Sequence, residues 1–218
     1  MVRETHDDEP QALSVSEVLR SNLSDRNSLI DSSLPTVAFL AVYLLSGSQL
    51  VPALVGAVAA GIVIAIARAA RRESLRHIAS GFLGVAICAF IASRTGRAED
   101  FFLPGLLLNV AYAAAFAVSA LIGRPLVGVG VKVMTGDDGW RDSAPVARAV
   151  YQCTWIWAAI FGLRVVVQLP LYLAGAVGAL GVAKLALGFP LFMLGAALTY
   201  RTLSAPLASR REELPAAD

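Results

Sequence analysis

The sequence predicts an all-α, polytopic integral membrane protein, a helical bundle with six transmembrane helices. First, long apolar runs occupy most of residues 34–200. Second, 57% of the residues are hydrophobic and 16% are charged, whereas soluble domains average about 45–50% and about 25%. Third, only two charged residues, Arg164 and Lys184, fall within the apolar runs. A soluble core could not bury so many apolar segments behind so little polar surface.

The runs define a transmembrane domain over residues 34–203, between a polar, acidic N-tail (residues 1–33) and a polar C-tail (residues 204–218). The runs cover residues 34–45, 50–67, 78–93, 101–122, 150–169 and 182–200. At 1.5 Å per residue the first run reaches only roughly 18 Å, against a hydrocarbon core of about 30 Å. It either spans with local thinning of the bilayer or re-enters, which would leave five spans. Pro190 predicts a kink in the last run.

The basic residues alternate between the gaps. Fourteen Lys and Arg residues lie in the tails and the second and fourth gaps, and two lie in the other gaps. Cytoplasmic loops are the ones enriched in Lys and Arg, so the sequence predicts a plasma (inner) membrane protein with both termini in the cytoplasm. The lipid bilayer is its predicted partner, and a net charge of +2 indicates no nucleic-acid binding. One basic cluster is expected to face anionic lipid head groups; it comprises Arg68, Arg71, Arg72 and Arg76.

Arg164 is the most informative polar position. A cation at mid-bilayer costs about 2.5–3.5 kcal/mol on insertion scales and less near a helix end. Two interpretations stay open. Arg164 extends to the outer interface, or it pairs with Glu99 or Asp100, which the predicted topology places on the same side. Lys184 has the same two interpretations, with extension to the interface favoured.

Three amides lie in or at the ends of the apolar runs: Asn109, Gln152 and Gln168. Hydrogen bonds between transmembrane helices average about 0.6 kcal/mol, so packing is the default role of these amides and contact with a solute is the alternative.

No catalytic, cofactor or metal site is predicted. The apolar runs hold no acidic residue, and the chain lacks an HExxH motif or an evident Ser/His/Asp set. Gly128 and Gly130 lack the GK[ST] ending of a phosphate-binding loop, and residues 126–134 are expected to lie along the inner membrane surface. The protein is therefore predicted not to be an enzyme.

Three stretches carry a family resemblance: LPTVAFLAVYLLSGSQLVPALVGAVAAGIVIAIAR, GFLGVAICAFIASRTGRAEDFFLPGLLLNVAYAAAF, and LIGRPLVG with WIWAAIFGLR. Over residues 34–203 the chain resembles an actinobacterial membrane family, domain of unknown function 3159. That resemblance implies a gene neighbourhood with potassium-uptake subunits. It leaves open a second role, a small-solute or ion transporter or an accessory subunit of an ion-uptake system.

The chain is more distantly similar to the bacterial intracellular septation protein A family. This resemblance implies a non-enzymatic scaffold or accessory in cell-envelope and septation processes, acting through contacts with other membrane proteins. It rests on an acidic turn followed by aromatic residues, a basic-Pro-Leu motif and a Trp-rich span: Glu99, Asp100, Phe101 and Phe102; Arg124, Pro125 and Leu126; Trp155 and Trp157.

Overall fold

The computed structural model describes residues 26–70, 75–135 and 139–213. Within these ranges all regular secondary structure is helical. The helices are α1 (Arg26–Leu45), α2 (Leu50–Ala70), α3 (Leu75–Thr95), α4 (Leu103–Leu121), α5 (Leu126–Thr135), α6 (Ala144–Leu173), α7 (Val177–Ala186) and α8 (Phe189–Glu213), with 3-10 turns at Ala98–Phe101 and Gly139–Arg141.

The predicted apolar runs all fall on helical segments, but four of those segments are long and apolar enough to cross a membrane. These are Leu50–Ala67, Leu103–Leu121, Ala144–Leu173 and Val177–Ser209. The apolar parts of α1 and α3 are shorter, at Leu34–Leu45 and Phe82–Thr95. The structure therefore has four candidate spans within its described residues, and the six-span count remains a prediction.

The predicted tails are partly helical. Helix α1 begins at Arg26, within the predicted N-tail, and α8 continues to Glu213, within the predicted C-tail. Residues 1–25 and 214–218 of those tails lie outside the described residues. So do two members of the predicted basic cluster, Arg71 and Arg72, at the junction of α2 and α3.

Helix α6 is the central element of the bundle, and α4 packs against it in antiparallel register. Tyr112 of α4 contacts Phe161 of α6 with ring centroids 5.1 Å apart. Phe116, one turn further along α4, lies 6.3 Å from Trp157, one turn earlier on α6. Four residues forward along α4 thus correspond to four residues back along α6. Other residues on the two contact faces can therefore be paired by counting from Tyr112 and Phe161.

Helix α8 packs on another side of α6, also antiparallel. Trp157 Nε1 donates a hydrogen bond to Thr199 Oγ1 at 3.0 Å, and the Trp157 ring lies 5.1 Å from the Phe192 ring. Aromatic rings from α4, α6 and α8 therefore form a layer in the middle of the bundle.

Apolar cores close both ends. At one end the Phe39 ring of α1 stacks on Phe101 with centroids 4.1 Å apart and meets Phe102 edge-on at 5.7 Å. At the other end Val131, Trp140, Val150 and Leu203 are buried together. The apolar segment predicted at residues 126–134 falls on α5, whose Val131 contributes to this second core.

The two glycines of α5 have opposite surroundings. A Cβ atom added at Gly128 would overlap the indole ring of Trp140, which is 3% exposed, whereas a Cβ at Gly130 would meet nothing within 4 Å. A rigid, buried ring cannot yield as the end of a flexible side chain does.

We expect Gly128→Ala to lower the thermal unfolding temperature of the purified protein in detergent. Its matched control is Gly130→Ala, the same change in the same helix, which gains helix propensity of up to about 1 kcal/mol without a clash. Equal unfolding temperatures for the two variants would show that Trp140 does not pack against Gly128.

Candidate functional site: a polar cluster beside a broken helix

The last candidate span, Val177–Ser209, is interrupted in its N-terminal half. Helix α7 ends at Ala186 and α8 begins at Phe189, so Leu187 and Gly188 separate them. The Gly188 amide turns back to the Leu185 carbonyl at 3.2 Å, a 3-10 type bond. Pro190 follows in the first turn of α8, where its missing N–H does least harm. The kink predicted at Pro190 is thus an interruption that directly precedes that residue.

Arg164 of α6 holds this interruption. Its Nη2 donates a hydrogen bond to the Gly188 carbonyl oxygen at 2.6 Å, and its guanidinium carbon lies 5.6 Å from the centroid of the Phe161 ring. The same carbonyl also accepts the Phe192 amide of α8 at 3.2 Å. Arg164 Nε is buried and has no hydrogen-bond partner among the described residues.

The predicted pairing of Arg164 with Glu99 or Asp100 is wrong. Glu99 Oε1 accepts a hydrogen bond from Arg97 Nε at 2.8 Å, and this hydrogen bond raises the pKa of Arg97. Asp100 Oδ1 accepts one from the Tyr172 hydroxyl at 2.5 Å. Both carboxylates therefore have nearby hydrogen-bond partners. We term this end of the bundle the Asp100 end.

The register of α4 and α6 gives the depth of Arg164. Tyr112 is the midpoint of the candidate span Leu103–Leu121, and it lies level with Phe161 of α6. Arg164 is three residues further along α6, about 5 Å from the middle of that span at 1.5 Å per residue. The Gly188 carbonyl that it binds lies at the same depth.

Gln168 and Tyr172 extend the face of α6 that holds Arg164. The three side chains follow one another at four-residue spacing, so they lie on one helix face. Gln168 is only 4% exposed, and no group in the described part of the chain forms a hydrogen bond with its amide. This face therefore leads from the Asp100 end of the bundle to the interruption at Gly188.

Lys184 reaches α4 from α7. Its Nζ lies 5.1 Å from the centroid of the Phe102 ring and 5.9 Å from that of Phe101, within the range of cation–π attraction. A Cβ atom at Gly105 would lie 3.8 Å from this ammonium. Lys184 is half-buried, and no carboxylate or carbonyl among residues 26–70, 75–135 and 139–213 accepts a hydrogen bond from it.

The α4–α6 register places these residues at neighbouring depths of the bundle. Counting back from the Tyr112–Phe161 pair places Asn109 opposite Arg164 and Gly105 opposite Gln168. Lys184, which packs against Gly105, therefore lies near the Gln168 level. We term Asn109, Arg164, Gln168 and Lys184 the polar cluster. Three sequence candidates, Asn109, Arg164 and Lys184, thus lie at neighbouring depths, whereas Glu99 and Asp100 lie at the end of the bundle.

Sequence reasoning missed three features of this site. The sequence alone gives no role to Tyr172, favours packing over solute contact for Gln168, and does not indicate the Gly188 carbonyl as a partner of Arg164. The four-residue spacing of Arg164, Gln168 and Tyr172 is visible in the sequence and would have placed them on one face.

The Arg124-Pro125-Leu126 motif forms the tight turn between α4 and α5. The Leu126 amide donates to Ser119 Oγ at 3.2 Å, and the Arg124 amide donates to the Ser119 carbonyl at 2.9 Å. Pro125 is fully buried. The structure thus gives this motif a structural role at the end of the bundle opposite Asp100.

The side chains of the polar cluster mainly donate hydrogen bonds. It combines two cations with two amides, and its members include no acid. Within the described residues no group of three or more His, Cys, Asp or Glu residues could hold a metal ion. An open groove of about 420 Å³ between α2 and α3 is apolar apart from Ser93, so it offers little to a polar ligand.

Comparison with known protein families matches residues 25–209 to a family described as protein of unknown function (DUF3159). The chain belongs to the DUF3159 family. The match includes every helix that contributes a residue to the polar cluster. It agrees with the family resemblance noted over residues 34–203. No curated protein and no solved structure matches this DUF3159 protein.

Removing the Tyr172 hydroxyl tests the connection between α6 and the acidic turn. Asp100 is 4% exposed, and a buried acceptor left without its donor costs about 1–3 kcal/mol. We expect Tyr172→Phe to lower the thermal unfolding temperature in detergent, while Tyr112→Phe, at a position 48% exposed, leaves it unchanged. No difference between these two variants would argue against the Tyr172–Asp100 hydrogen bond.

Proposed function

We propose that this DUF3159 protein is a small-solute or ion transporter, or an accessory subunit of an ion-uptake system, that binds a polar solute inside its helical bundle. The observation that carries the proposal is the interruption between α7 and α8, which Arg164 contacts about 5 Å from the middle of the candidate span Leu103–Leu121. Many transporters bind substrate near the bilayer midplane, at helices interrupted there.

The energetic cost of the site supports this proposal. A cation in the centre of a bilayer costs about 2.5–3.5 kcal/mol on insertion scales, and such residues usually mark solute pathways or relays. One hydrogen bond to Gly188 satisfies only part of the Arg164 guanidinium, because its Nε remains unpaired among the described residues. A purely structural helix contact would be served by an uncharged donor at lower cost.

A second candidate is a non-enzymatic scaffold or accessory in cell-envelope and septation processes. Its support is the similarity to the septation protein A family, drawn on the Glu99–Phe102 turn, together with the apolar groove between α2 and α3. Such a groove suits an apolar helix of another membrane protein. We also propose an actinobacterial origin and a location in the plasma membrane with both termini in the cytoplasm.

Arg164→Ala tests the transport proposal. We expect wild-type protein in liposomes to carry potassium or a small anion from a panel read by ion-sensitive dyes. Loss of a hydrogen bond from a charged group costs about 1.5–3 kcal/mol, so we expect the variant to lose at least about tenfold in rate.

The matched control is Arg148→Ala, which removes an exposed arginine from the same helix. We expect it to retain the wild-type rate. If wild-type, Arg164→Ala and protein-free liposomes all give equal flux across the panel, the protein is not a transporter. Recovery of envelope or division proteins by cross-linking in membranes would then favour the scaffold.

Cysteine labelling tests the predicted orientation. In a background with Cys88→Ala and Cys153→Ala, single cysteines at position 14, in the N-tail, and in place of exposed Gln49 and Ser209 would report each side. With both termini inside, an impermeant thiol reagent labels only Gln49→Cys in intact cells. Labelling of both position 14 and Gln49→Cys would mean that the first apolar run does not cross, because both of its ends would then lie outside.

A further inference from the structure

We propose that the groove between α2 and α3 binds one acyl chain of an anionic phospholipid, whose phosphate is held by Arg94 at the Asp100 end of the bundle. The juxtaposition that carries this proposal is an apolar groove whose wall, the Phe90 ring, also lies beneath a cation: the Arg94 guanidinium carbon is 6.0 Å from the ring centroid. The occupant is a lipid, in contrast to the partner helix of the scaffold proposal, and its binding does not depend on the transport proposal.

The lining of the groove suits a hydrocarbon chain. Helix α2 contributes Leu54, Val58 and Ile62, and α3 contributes Phe90 and Ser93. The Ser93 hydroxyl donates a hydrogen bond to the Phe90 carbonyl at 2.7 Å, so it needs no partner from a bound molecule. The Phe90 side chain is 64% exposed, which opens the groove towards the surrounding lipid.

The groove lies at the depth of the acyl chains of one leaflet. Leu50 begins the candidate span Leu50–Ala67, and it packs against the core that contains Phe101 at the Asp100 end. Leu54 and Ile62 follow four and twelve residues later, so the groove extends from about 6 Å to about 18 Å below that end. One leaflet supplies half of a hydrocarbon core of about 30 Å. An acyl chain that enters from the Asp100 end therefore matches the groove, whereas a transmembrane helix would extend well beyond it.

Arg94 lies at the mouth of the groove. It directly follows Ser93, which lines the groove together with Leu54, the lining residue of α2 nearest the Asp100 end. Helix α3 ends one residue later, at Thr95. The long side chain of an arginine near the end of a span extends to the membrane interface, where the phosphates of the lipids lie. A single lipid molecule can therefore place its chain in the groove and its phosphate at Arg94.

The charges at this end favour an anionic head group. Arg94 is exposed, and no carboxylate in the described part of the chain forms an ion pair with it. Glu99 accepts from Arg97, and Asp100 accepts from Tyr172. Arginine binds phosphate through parallel N–H···O bonds. A zwitterionic head group carries its own cation, which competes with Arg94 for the phosphate, whereas an anionic head group does not.

Thermal unfolding of the purified protein in detergent tests the selectivity, with phosphatidylglycerol or phosphatidylcholine of the same acyl chains added. A ligand that binds only the folded state raises the unfolding temperature as its concentration exceeds its Kd. We expect a saturable rise with both lipids and an apparent affinity at least about fivefold higher for phosphatidylglycerol, because one arginine attracts an anionic lipid by about that factor. Equal affinities for the two lipids, or no rise with either, overturn the proposal.

Variants of Arg94 test the phosphate contact. Arg94→Gln should lower the affinity for phosphatidylglycerol to that for phosphatidylcholine, and Arg94→Lys should keep most of the preference because it keeps the charge. The matched control is Arg148→Gln, at an exposed arginine of α6, which should behave as the wild type. If Arg94→Gln retains the wild-type preference, Arg94 does not hold the head group and the proposal fails.

A larger side chain in the groove tests where the acyl chain lies. Ala59 lines the groove and is exposed, so Ala59→Trp should fill the groove and abolish the saturable rise with both lipids. The matched control is Ala114→Trp, at an exposed alanine of α4 that does not line the groove. A wild-type lipid response in Ala59→Trp would place the lipid elsewhere and contradict the proposal.

Two measurements on the wild-type groove distinguish the other occupants. A photo-crosslinking amino acid in place of Val55, a lining residue that is 64% exposed, should form adducts of phospholipid mass in membranes. Adducts only with a second copy of the chain or with another protein would assign the groove to a protein and overturn the lipid. Glycerol 1-phosphate, which has the phosphate without the chains, should give no rise in unfolding temperature where phosphatidylglycerol saturates. An equal rise would indicate a site for free phosphate and contradict the proposal.

Discussion

The contact between the Arg164 guanidinium and the Gly188 carbonyl is the interaction on which the arrangement of the polar cluster depends. An interrupted helix exposes backbone groups that lipid cannot hydrogen-bond, and a guanidinium at the same depth needs an acceptor that hydrocarbon cannot supply. The Gly188 carbonyl accepts Arg164 Nη2 at 2.6 Å in addition to the Phe192 amide at 3.2 Å, so it meets part of the guanidinium's requirement. This contact also fixes α7 and α8 against α6, which sets the direction from which Lys184 approaches α4.

Helix α6 divides the bundle interior into an aromatic part and a polar part. Towards its N-terminal half, Trp157 and Phe161 pack with rings of α4 and α8. Towards its C-terminal half, the same face presents Arg164, Gln168 and Tyr172. Aromatic packing on one side of Arg164 and the Phe39–Phe101–Phe102 core beyond Lys184 enclose the polar residues, so interactions among them act in a low-dielectric setting.

The sequence was sufficient to predict the helices but not the pairs between them. Lipid requires apolar, internally hydrogen-bonded segments, so residues 50–67 and 101–122 were recognisable from composition alone. The partner of Arg164 depends on the register of α6 against α7, which composition does not encode. A rule based on charge therefore offered Glu99 and Asp100 as partners, beside extension to the interface. The burial of Gln168 and the packing of Trp140 on Gly128 likewise depend on how elements align in three dimensions, which composition does not encode. The resemblance to domain of unknown function 3159 identified the family but supplied no residue roles.

The distribution of charge with depth separates this protein from transporters that couple to protons through carboxylates in their spans. Its apolar runs contain no Asp or Glu, and Asp100 at the end of the bundle is engaged by Tyr172. What the interior offers is fixed positive charge and amide donors. Under the proposed transport function, such a site would select its ligand by the sign of its charge, because a guanidinium remains protonated throughout the physiological range. Under the same proposal, movement at the Gly188 interruption, rather than titration of a carboxylate, would open the site to either side.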